Sequence, residues 1–507
     1  TIFNAYSLLQ TGKDEYGMPF PLVFRSFEVF FLPLYVYLSA PIVGILGLSE
    51  FSTRFLSAFA GVVALVVTFF IAYEIWKDKK LALLSAFVLT ISPWHIFFSR
   101  GAFEGNLALT LFSTGFLFWL KFIDKGKAKL FLISIILFVL SMYSYQAERL
   151  VVPLFGLIAA ILASKKIWSI KKALLLPLFI VTILLVPLLS LTFRPGGYHR
   201  ALGVSVFTDQ RHPPGWVQGS EVYLRLRQLM ALYLSYFSPR NIFFEGDYDR
   251  QRGVEKFSVF YGFMFPFMLL GLIALLKQKD AKGKLLLAWI FLAPIPASLT
   301  TDPFHTYRSL MLYMPLSLLV GLGIYKSVDY FQRKEPVHFR NYINYYGLGI
   351  SILMLFNLSI FLYTYFVLTK VARATFWDYG YKQVVEFISA QTDYKGVRVD
   401  DPKSEGYIHF LFFGKVDPSI YHREVKKFTD PEKYYYNSAK EIRPVAWGKF
   451  EFRDVDWPTE RGDTGTIFVM REEILPVDGF NTDPKVKLLK EIYYPDGSIA
   501  FRIVKII

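Results

Sequence analysis

Four short stretches carry residue types that could do chemistry. The stretch Ser99-Arg100-Gly101-Ala102-Phe103-Glu104-Gly105-Asn106 sets Arg100 and Glu104 four residues apart. That spacing fits a plain i,i+4 ion pair, or a carboxylate tuned by a neighbouring cation for proton transfer. Tyr143-Ser144-Tyr145-Gln146-Ala147-Glu148-Arg149 puts Arg149 at the head of an apolar run, with Tyr145 and Gln146 as polar companions. Such an arginine either binds an anionic group or snorkels to an interface. Thr300-Thr301-Asp302-Pro303-Phe304-His305-Thr306-Tyr307-Arg308 places His305 and Arg308 three apart. A lone histidine is usually structural, but His with Arg suits a phosphate. Thr11-Gly12-Lys13-Asp14-Glu15-Tyr16-Gly17 holds Asp14 and Glu15 between glycines. It reads first as a polar turn, and second as a pair of first-loop carboxylates. Arg194, His199, Arg200, Asp209, Arg211, His212 and the run 245–252 have the look of a solvated loop.

Some chemistries lack their signals. The chain has no cysteine, so thiolate zinc sites and Cys nucleophiles are excluded. It has no Walker motif, GxGxxG or HExxH, so ATP-driven transport and zincin chemistry lose their usual marks. The apolar runs hold few acids, which weakens an ion-coupled transporter. The outer turns offer few carboxylates, so no metal and no cofactor is expected.

The elements that must position these residues are membrane spans. Of 507 residues, 54% are hydrophobic and only 19% charged, with mean hydropathy +0.37. Soluble domains carry about 25% charged residues. A soluble globular enzyme, a disordered chain and a nucleic-acid-binding domain are therefore excluded. The net charge of +15 sits in clusters between apolar runs, which is the pattern of membrane loops. Runs long enough to cross about 30 Å of hydrocarbon lie near 53–75, 81–98, 104–123, 128–145, 149–164, 172–193, 258–277, 284–299, 307–326 and 346–369. The loops at 77–80, 121–129, 165–172, 277–284 and 326–340 hold 19 Lys/Arg against 5 Asp/Glu. The positive-inside rule puts all five in the cytoplasm, and they alternate with the other loops.

The run 29–47, with Pro33, Pro41 and many aromatics, reads as an interfacial helix rather than a span. Residues 1–52 then form one external loop, which calls for a further span before Thr1. The long loop 194–257 is external too. Composition changes near 370. Thr466–Met470 and Ala500–Val504 look like strands, with a turn at Pro495-Asp496-Gly497, so 370–507 reads as an extracytoplasmic soluble α/β domain. The fold class is mainly α: a polytopic helical bundle over 53–369 carrying that small domain.

With this order of motifs the chain resembles bacterial membrane glycosyltransferases of the GT-C fold. These are related to the protein O-mannosyltransferase and aminoarabinose-transferase families and are similar to glycosyltransferase family 39. The matching stretches are 4–9 with 11–17, 33–38, 51–55, 100–106, 145–153, 203–207, 236–239 and 294–308. They run along the whole membrane part, and the tail matches only loosely. The resemblance implies a first external loop opening on an Asp-Glu pair whose Asp is the base. Here that pair would fall just before Thr1, so this chain departs from the pattern, and Asp14 and Glu15 lie further along. Glu104 matches the second acidic position, in the next external turn.

The resemblance also implies a polyprenyl-phosphate sugar donor used on the outer face of the cell membrane. The acceptor would be a protein, lipid or glycan, and membrane lipid would be the other partner. Glu104 would act as the carboxylate that handles the acceptor proton, with Arg100 orienting it. Arg149, His305 and Arg308, with Tyr145 and Gln146, would bind the donor phosphate and substrate. The rival readings are a flippase of lipid-linked sugars, a ligase that joins polysaccharides from a lipid carrier, and an interaction protein whose tail binds a partner.

Overall fold

Prolines, glycines and capping carboxylates set where the apolar runs become helices. A computed structural model describes residues 2–27, 29–192, 205–208, 220–334, 340–401, 405–425, 446–475 and 483–507. The loop residues Arg194, His199, Arg200, Asp209, Arg211 and His212 lie outside them. The chain divides into two compact units, Thr1–Thr53 with Phe366–Ile507, and Arg54–Tyr365.

The first unit opens with α1 (Ile2–Thr11), a hairpin of β1 (Phe24–Ser26) and β2 (Val29–Phe31), and α2 (Pro33–Leu46). Pro33 starts α2 at a position where its missing N–H costs nothing. The distal part of the chain adds a six-stranded sheet. Its strands are β3 (Gly396–Asp400), β4 (Ala446–Trp447), β5 (Phe450–Arg453), β6 (Thr466–Met470), β7 (Val486–Tyr493) and β8 (Ile499–Ile506), in the order β4-β5-β3-β6-β8-β7. β3 runs parallel to β5 and β6, and the other pairings are antiparallel. Side chains alternate across the sheet. Ile467 and Val469 face one core, with Val384, Val385 and Ile388 of the helix Tyr381–Ser389 and Phe3 and Leu8 of α1. Phe468 and Met470 face a second core with Trp457 and Leu475. β6 is thus covered on both faces, which is why Ile467–Met470 is an unbroken apolar run. At the β7–β8 turn, Gly497 takes φ +88° and Asp496 Oδ1 accepts from the Ser498 N–H at 2.9 Å.

The second unit is helical. α3 (Glu50–Trp76), whose first turn precedes this unit, α6 (Glu104–Lys125), Leu310–Gln332 and Tyr345–Ala372 are each long and apolar enough to cross a membrane. Between the first two, α4 (Lys79–Ile91) and α5 (Pro93–Arg100) meet at a 61° bend. The sequence suggests one straight run over 81–98. The break has a local cause: Pro93 forces Ser92 into extended backbone (φ −66°, ψ 126°), so α4 ends there and α5 restarts. Among the described residues four helices pass as spans, or five with the bent pair. The other expected runs are shorter helices, namely α7 (Ala128–Met142), α8 (Glu148–Leu162), Leu175–Thr192, Phe265–Lys277 and Ala281–Leu292.

The loops of this unit sort into two groups by contact. Lys282 Nζ bonds Asp124 Oδ2 at 2.7 Å and the Glu74 carbonyl at 2.8 Å. Tyr325 Oη bonds Asp78 Oδ2 at 2.7 Å, and Lys166 lies beside Gly126. Lys77 Nζ also reaches Asp124 Oδ2 at 3.4 Å, so four of the Lys-rich loops meet, with Tyr325 at the border of the fifth. The second group carries the candidate residues. Ser144 Oγ donates to the Glu104 carbonyl at 3.0 Å, and Ser205 bridges to Thr300. Asn106 anchors that end: its Nδ2 donates to the Ser57 carbonyl at 2.8 Å and its Oδ1 accepts from Tyr313 Oη at 2.7 Å.

Candidate active site

The turn between α5 and α6 determines how Arg100 and Glu104 stand. Gly101–Phe103 is not helical, so Arg100 ends one helix and Glu104 begins the next. Arg100 and Glu104 therefore do not share one helix, because Gly101 interrupts it. Arg100 lies over the Tyr365 ring, 5.2 Å from its centroid. The Tyr307 hydroxyl accepts the N–H of Gly105, the residue after Glu104, at 3.1 Å.

The turn before α8 packs against the same place. The Tyr145 and Tyr307 rings lie 4.9 Å apart. Glu148, the first residue of α8, is buried, and its Oε2 has no hydrogen-bond partner among the described residues. Tyr145 and Gln146 line a cavity of about 270 Å³. Its other walls are Ala147, Leu150, Pro296 and Leu299, the hydroxyl residues Ser205 and Thr300, Phe207, and Arg308. The segment at 205–208 closes one side, where the Val206 N–H donates to the Leu299 carbonyl at 3.0 Å. One guanidinium, one amide and three hydroxyls thus face a chamber whose remaining walls are apolar.

The loop carrying Arg308 is held by carboxylates. Arg308 Nη1 meets Asp302 Oδ2 at 3.2 Å. Asp302 also accepts from Tyr248 Oη at 3.1 Å. Behind it, Asp247 takes Arg252 Nε at 2.9 Å and the Thr306 N–H and Oγ1 at 2.9 and 2.8 Å. His305 is buried in this lattice. Its Nδ1 faces the Arg308 N–H at 3.2 Å and its Nε2 faces Arg252 Nη1 at 3.1 Å. A neutral imidazole has one acceptor nitrogen, so it accepts only one of these donors. The ring braces the loop, and Arg308 reaches the cavity. Arg149 is the second residue of α8 and is not among the cavity-lining residues.

Asp14 and Glu15 belong to the first unit, where both are buried. Asp14 Oδ1 accepts the N–H groups of Tyr16 and Met18 at 2.9 and 2.8 Å, the polar turn expected of this stretch. The Asp14 carbonyl accepts from His422 Nε2 at 2.6 Å and Ser7 Oγ at 3.0 Å. Glu15 Oε1 accepts from Tyr407 Oη at 3.2 Å. Burial pushes the Glu15 carboxyl up to about 7, with Asp14 adding to the rise.

Residues 32–190 match the model of the dolichyl-phosphate-mannose-protein mannosyltransferase family. In structure the chain is similar to ArnT from Cupriavidus metallidurans bound to undecaprenyl phosphate, with a TM-score of 0.52 at 10% identity over 99% of this chain and 92% of that one. The chain is similar to GT-C membrane glycosyltransferases. The archaeal oligosaccharyltransferase AglB from Archaeoglobus fulgidus, in complex with an inhibitory peptide and a dolichol-phosphate, gives a TM-score of 0.45 at 13% identity, over 81% of this chain and 59% of that one. No curated protein matches the sequence. The resemblance read from the motifs agrees with these findings. Within the GT-C frame, the family-matched segment carries Arg100, Glu104, Tyr145, Gln146 and Arg149, while His305 and Arg308 lie beyond it.

Sequence reasoning passed over Tyr307, Glu148, Asp302 and the Asp247–Arg252 pair as working parts. Tyr307 and Asp302 flank residues that were singled out, so their presence in the same short loop was the available signal. Nothing in the sequence tied Asp247 to Thr306.

Proposed function

We propose that this chain is an integral membrane glycosyltransferase that moves a sugar from a polyprenyl-phosphate donor to an acceptor on the outer face of the cell membrane. The observation that carries this reading is the cavity, where Arg308 stands in the wall of a mostly apolar chamber and the wall residue Tyr145 follows Ser144, whose hydroxyl bonds the Glu104 carbonyl. A lipid phosphate needs that combination of cation and apolar wall. The similarity to ArnT, whose structure holds undecaprenyl phosphate, supports the same donor class.

In the reaction, an acceptor hydroxyl or amine attacks the anomeric carbon. The bond from that carbon to the phosphate oxygen breaks, and polyprenyl phosphate leaves with one more negative charge. Arg308, with Gln146 and Tyr145 as hydrogen-bond donors, stabilises that charge. Glu104 takes the acceptor proton. A single displacement inverts the anomeric centre. Asp302 holds Arg308, His305 braces its loop, and Arg149 and Arg100 stand behind the two turns.

The linked Lys-rich loops support a cytoplasmic end, which leaves the cavity end and residues 1–52 and 370–507 outside. On this reading the chain makes ten crossings, and the distal domain helps to choose a protein, lipid or glycan acceptor. No cofactor enters the scheme.

The test uses the purified full chain with a panel of undecaprenyl-phosphate-linked hexoses and pentoses, reading release of undecaprenyl phosphate in the presence of host membranes. Glu104→Gln is expected to cut release at least roughly tenfold, the scale of a positioned acid or base. An unchanged rate removes Glu104 from the mechanism. Movement of intact donor across vesicles with no transfer would instead make the protein a flippase.

A further inference from the structure

The charged run 245–252 has the composition of a solvated loop, yet the Asp247 side chain is fully buried. Gly246 sets the turn that buries it. Its φ is +75°, and a Cβ there would lie 2.9 Å from the Phe257 carbonyl oxygen. Five donors then face the two Asp247 oxygens. Oδ1 meets the Asp249 N–H at 2.9 Å and Arg252 Nη2 at 3.2 Å. Oδ2 meets Arg252 Nε at 2.9 Å, and the Thr306 N–H and hydroxyl at 2.9 and 2.8 Å. The hydroxyl shares its one proton with the Arg252 carbonyl at 3.0 Å. A local turn needs only the Asp249 bond. The Thr306 bonds span 59 residues and end in the loop that carries Arg308.

We propose that Asp247 is a positioning residue that sets the Arg308 guanidinium at the donor cavity; the proposal rests on Arg308 meeting the donor phosphate. Two routes join them. The first is backbone. Asp247 takes the Thr306 N–H, and Tyr236 Oη takes the His305 N–H at 3.0 Å. Two consecutive peptide groups are thus pinned just before Arg308. The second is charge, which alternates along Asp247, Arg252, Asp302 and Arg308. Arg252 Nη1 stands 4.0 Å from Asp302 Oδ2, and the same oxygen meets Arg308 Nη1 at 3.2 Å. Arg308 in turn lines the cavity. Without the Asp247 charge, the half-buried Arg252 would pull harder on Asp302 and draw it from Arg308. A guanidinium displaced by even 1 Å no longer matches a phosphate held in a fixed pose.

The test measures binding of undecaprenyl phosphate by the purified full chain, alongside the release assay. Asp247→Asn keeps the shape and removes the charge. It is expected to weaken binding and to raise the donor KM roughly tenfold, the worth of a hydrogen bond to a charged group. The kcat should stay within about twofold, since phosphate placement rather than proton transfer is lost. In an Arg308→Ala background the same change should cost nothing further, because both act through one guanidinium. Thr306→Val removes the hydroxyl bond and should show the same pattern more weakly, and Thr306→Ser should restore binding. A residue that serves folding alone would lower the melting temperature, and its losses would multiply with those of Arg308→Ala. Such multiplication overturns the proposal, and so do wild-type binding and KM in Asp247→Asn. Should Asp247→Asn not fold, the Thr306 variants decide by the same criteria. If the wild-type protein transfers no sugar yet binds undecaprenyl phosphate with this pattern of losses, the glycosyltransferase reading fails and the positioning role stands. A wild-type protein that does not bind undecaprenyl phosphate overturns the proposal.

Discussion

Arg308 meets two demands that usually conflict. A guanidinium facing an apolar chamber must be held in place, yet it must keep donors for a ligand. Asp302 at 3.2 Å meets the first through Nη1, and the planar fork of five donors suits contact with a phosphate. Arg308→Ala is therefore expected to raise the donor KM roughly tenfold to a hundredfold, the worth of about 1.5–3 kcal/mol for a hydrogen bond to a charged group. Arg308→Lys should recover only part of this, because an ammonium keeps the charge but loses the planar fork. Titrating undecaprenyl-phosphate sugar against each variant checks the order; equal KM values across the series would take Arg308 out of the donor site. At this scale the sequence was informative where a charge interrupts apolar surroundings. Arg308, Tyr145 and Gln146 stood out in that way, and they meet at one cavity. Tyr307 was hidden because a tyrosine near a membrane mouth has an ordinary interfacial explanation. Its hydroxyl accepts the Gly105 N–H, a contact that no local pattern announces.

Elements are positioned here by what is missing from side chains as much as by what is present. The helices Phe265–Lys277 and Tyr313–Lys334 approach so closely that a Cβ at Gly323 would fall 1.7 Å from the Phe267 carbonyl oxygen, and one at Gly271 1.9 Å from that of Leu319. Small residues allow such contact between membrane helices, where packing rather than the hydrophobic effect holds helices together. Gly323→Ala should force the pair apart at a cost of about 1–3 kcal/mol, as overpacking does. Gly349→Ala is the control, since nothing lies within 4 Å of its added methyl. Helical alanine there should be neutral or stabilising by up to about 1 kcal/mol. Thermal unfolding of the two variants in detergent should separate them clearly, and matching melting temperatures would show that the close approach is not maintained. Hydropathy found where these helices run, but not their exact ends or breaks. The bend at Ser92–Pro93 was visible as a proline and still read as part of one span, because run length alone does not distinguish a kink from a break.

At the scale of the whole molecule, the two ends of the chain share one body. Glu15 and Tyr407 meet across 392 residues, and Ser7 and His422 across 415. Neither contact was legible in a sequence that placed Asp14 and Glu15 in a first loop and the tail in a separate domain, because long-range pairing leaves no periodic trace. The contact has a consequence for stability. Glu15 is buried among Tyr16, Tyr407 and Tyr421, with Asp14 adjoining, and its carboxyl is raised to about 7 from 4.5. The folded state therefore holds a proton that the unfolded chain releases earlier. Between pH 4.5 and 7 the native form binds more protons, so stability is greatest below that window, falls through it and levels off above it. The full effect is ~3 kcal/mol for a shift of this size. Glu15→Gln keeps an oxygen for Tyr407 and removes the titration. Melting curves of the full chain at pH 5, 6, 7 and 8 should show wild type losing stability relative to Glu15→Gln as pH rises, with the two nearest at pH 5. Parallel curves across that range would mean that Glu15 is not titrating there, and that the joined ends carry no pH dependence of this origin.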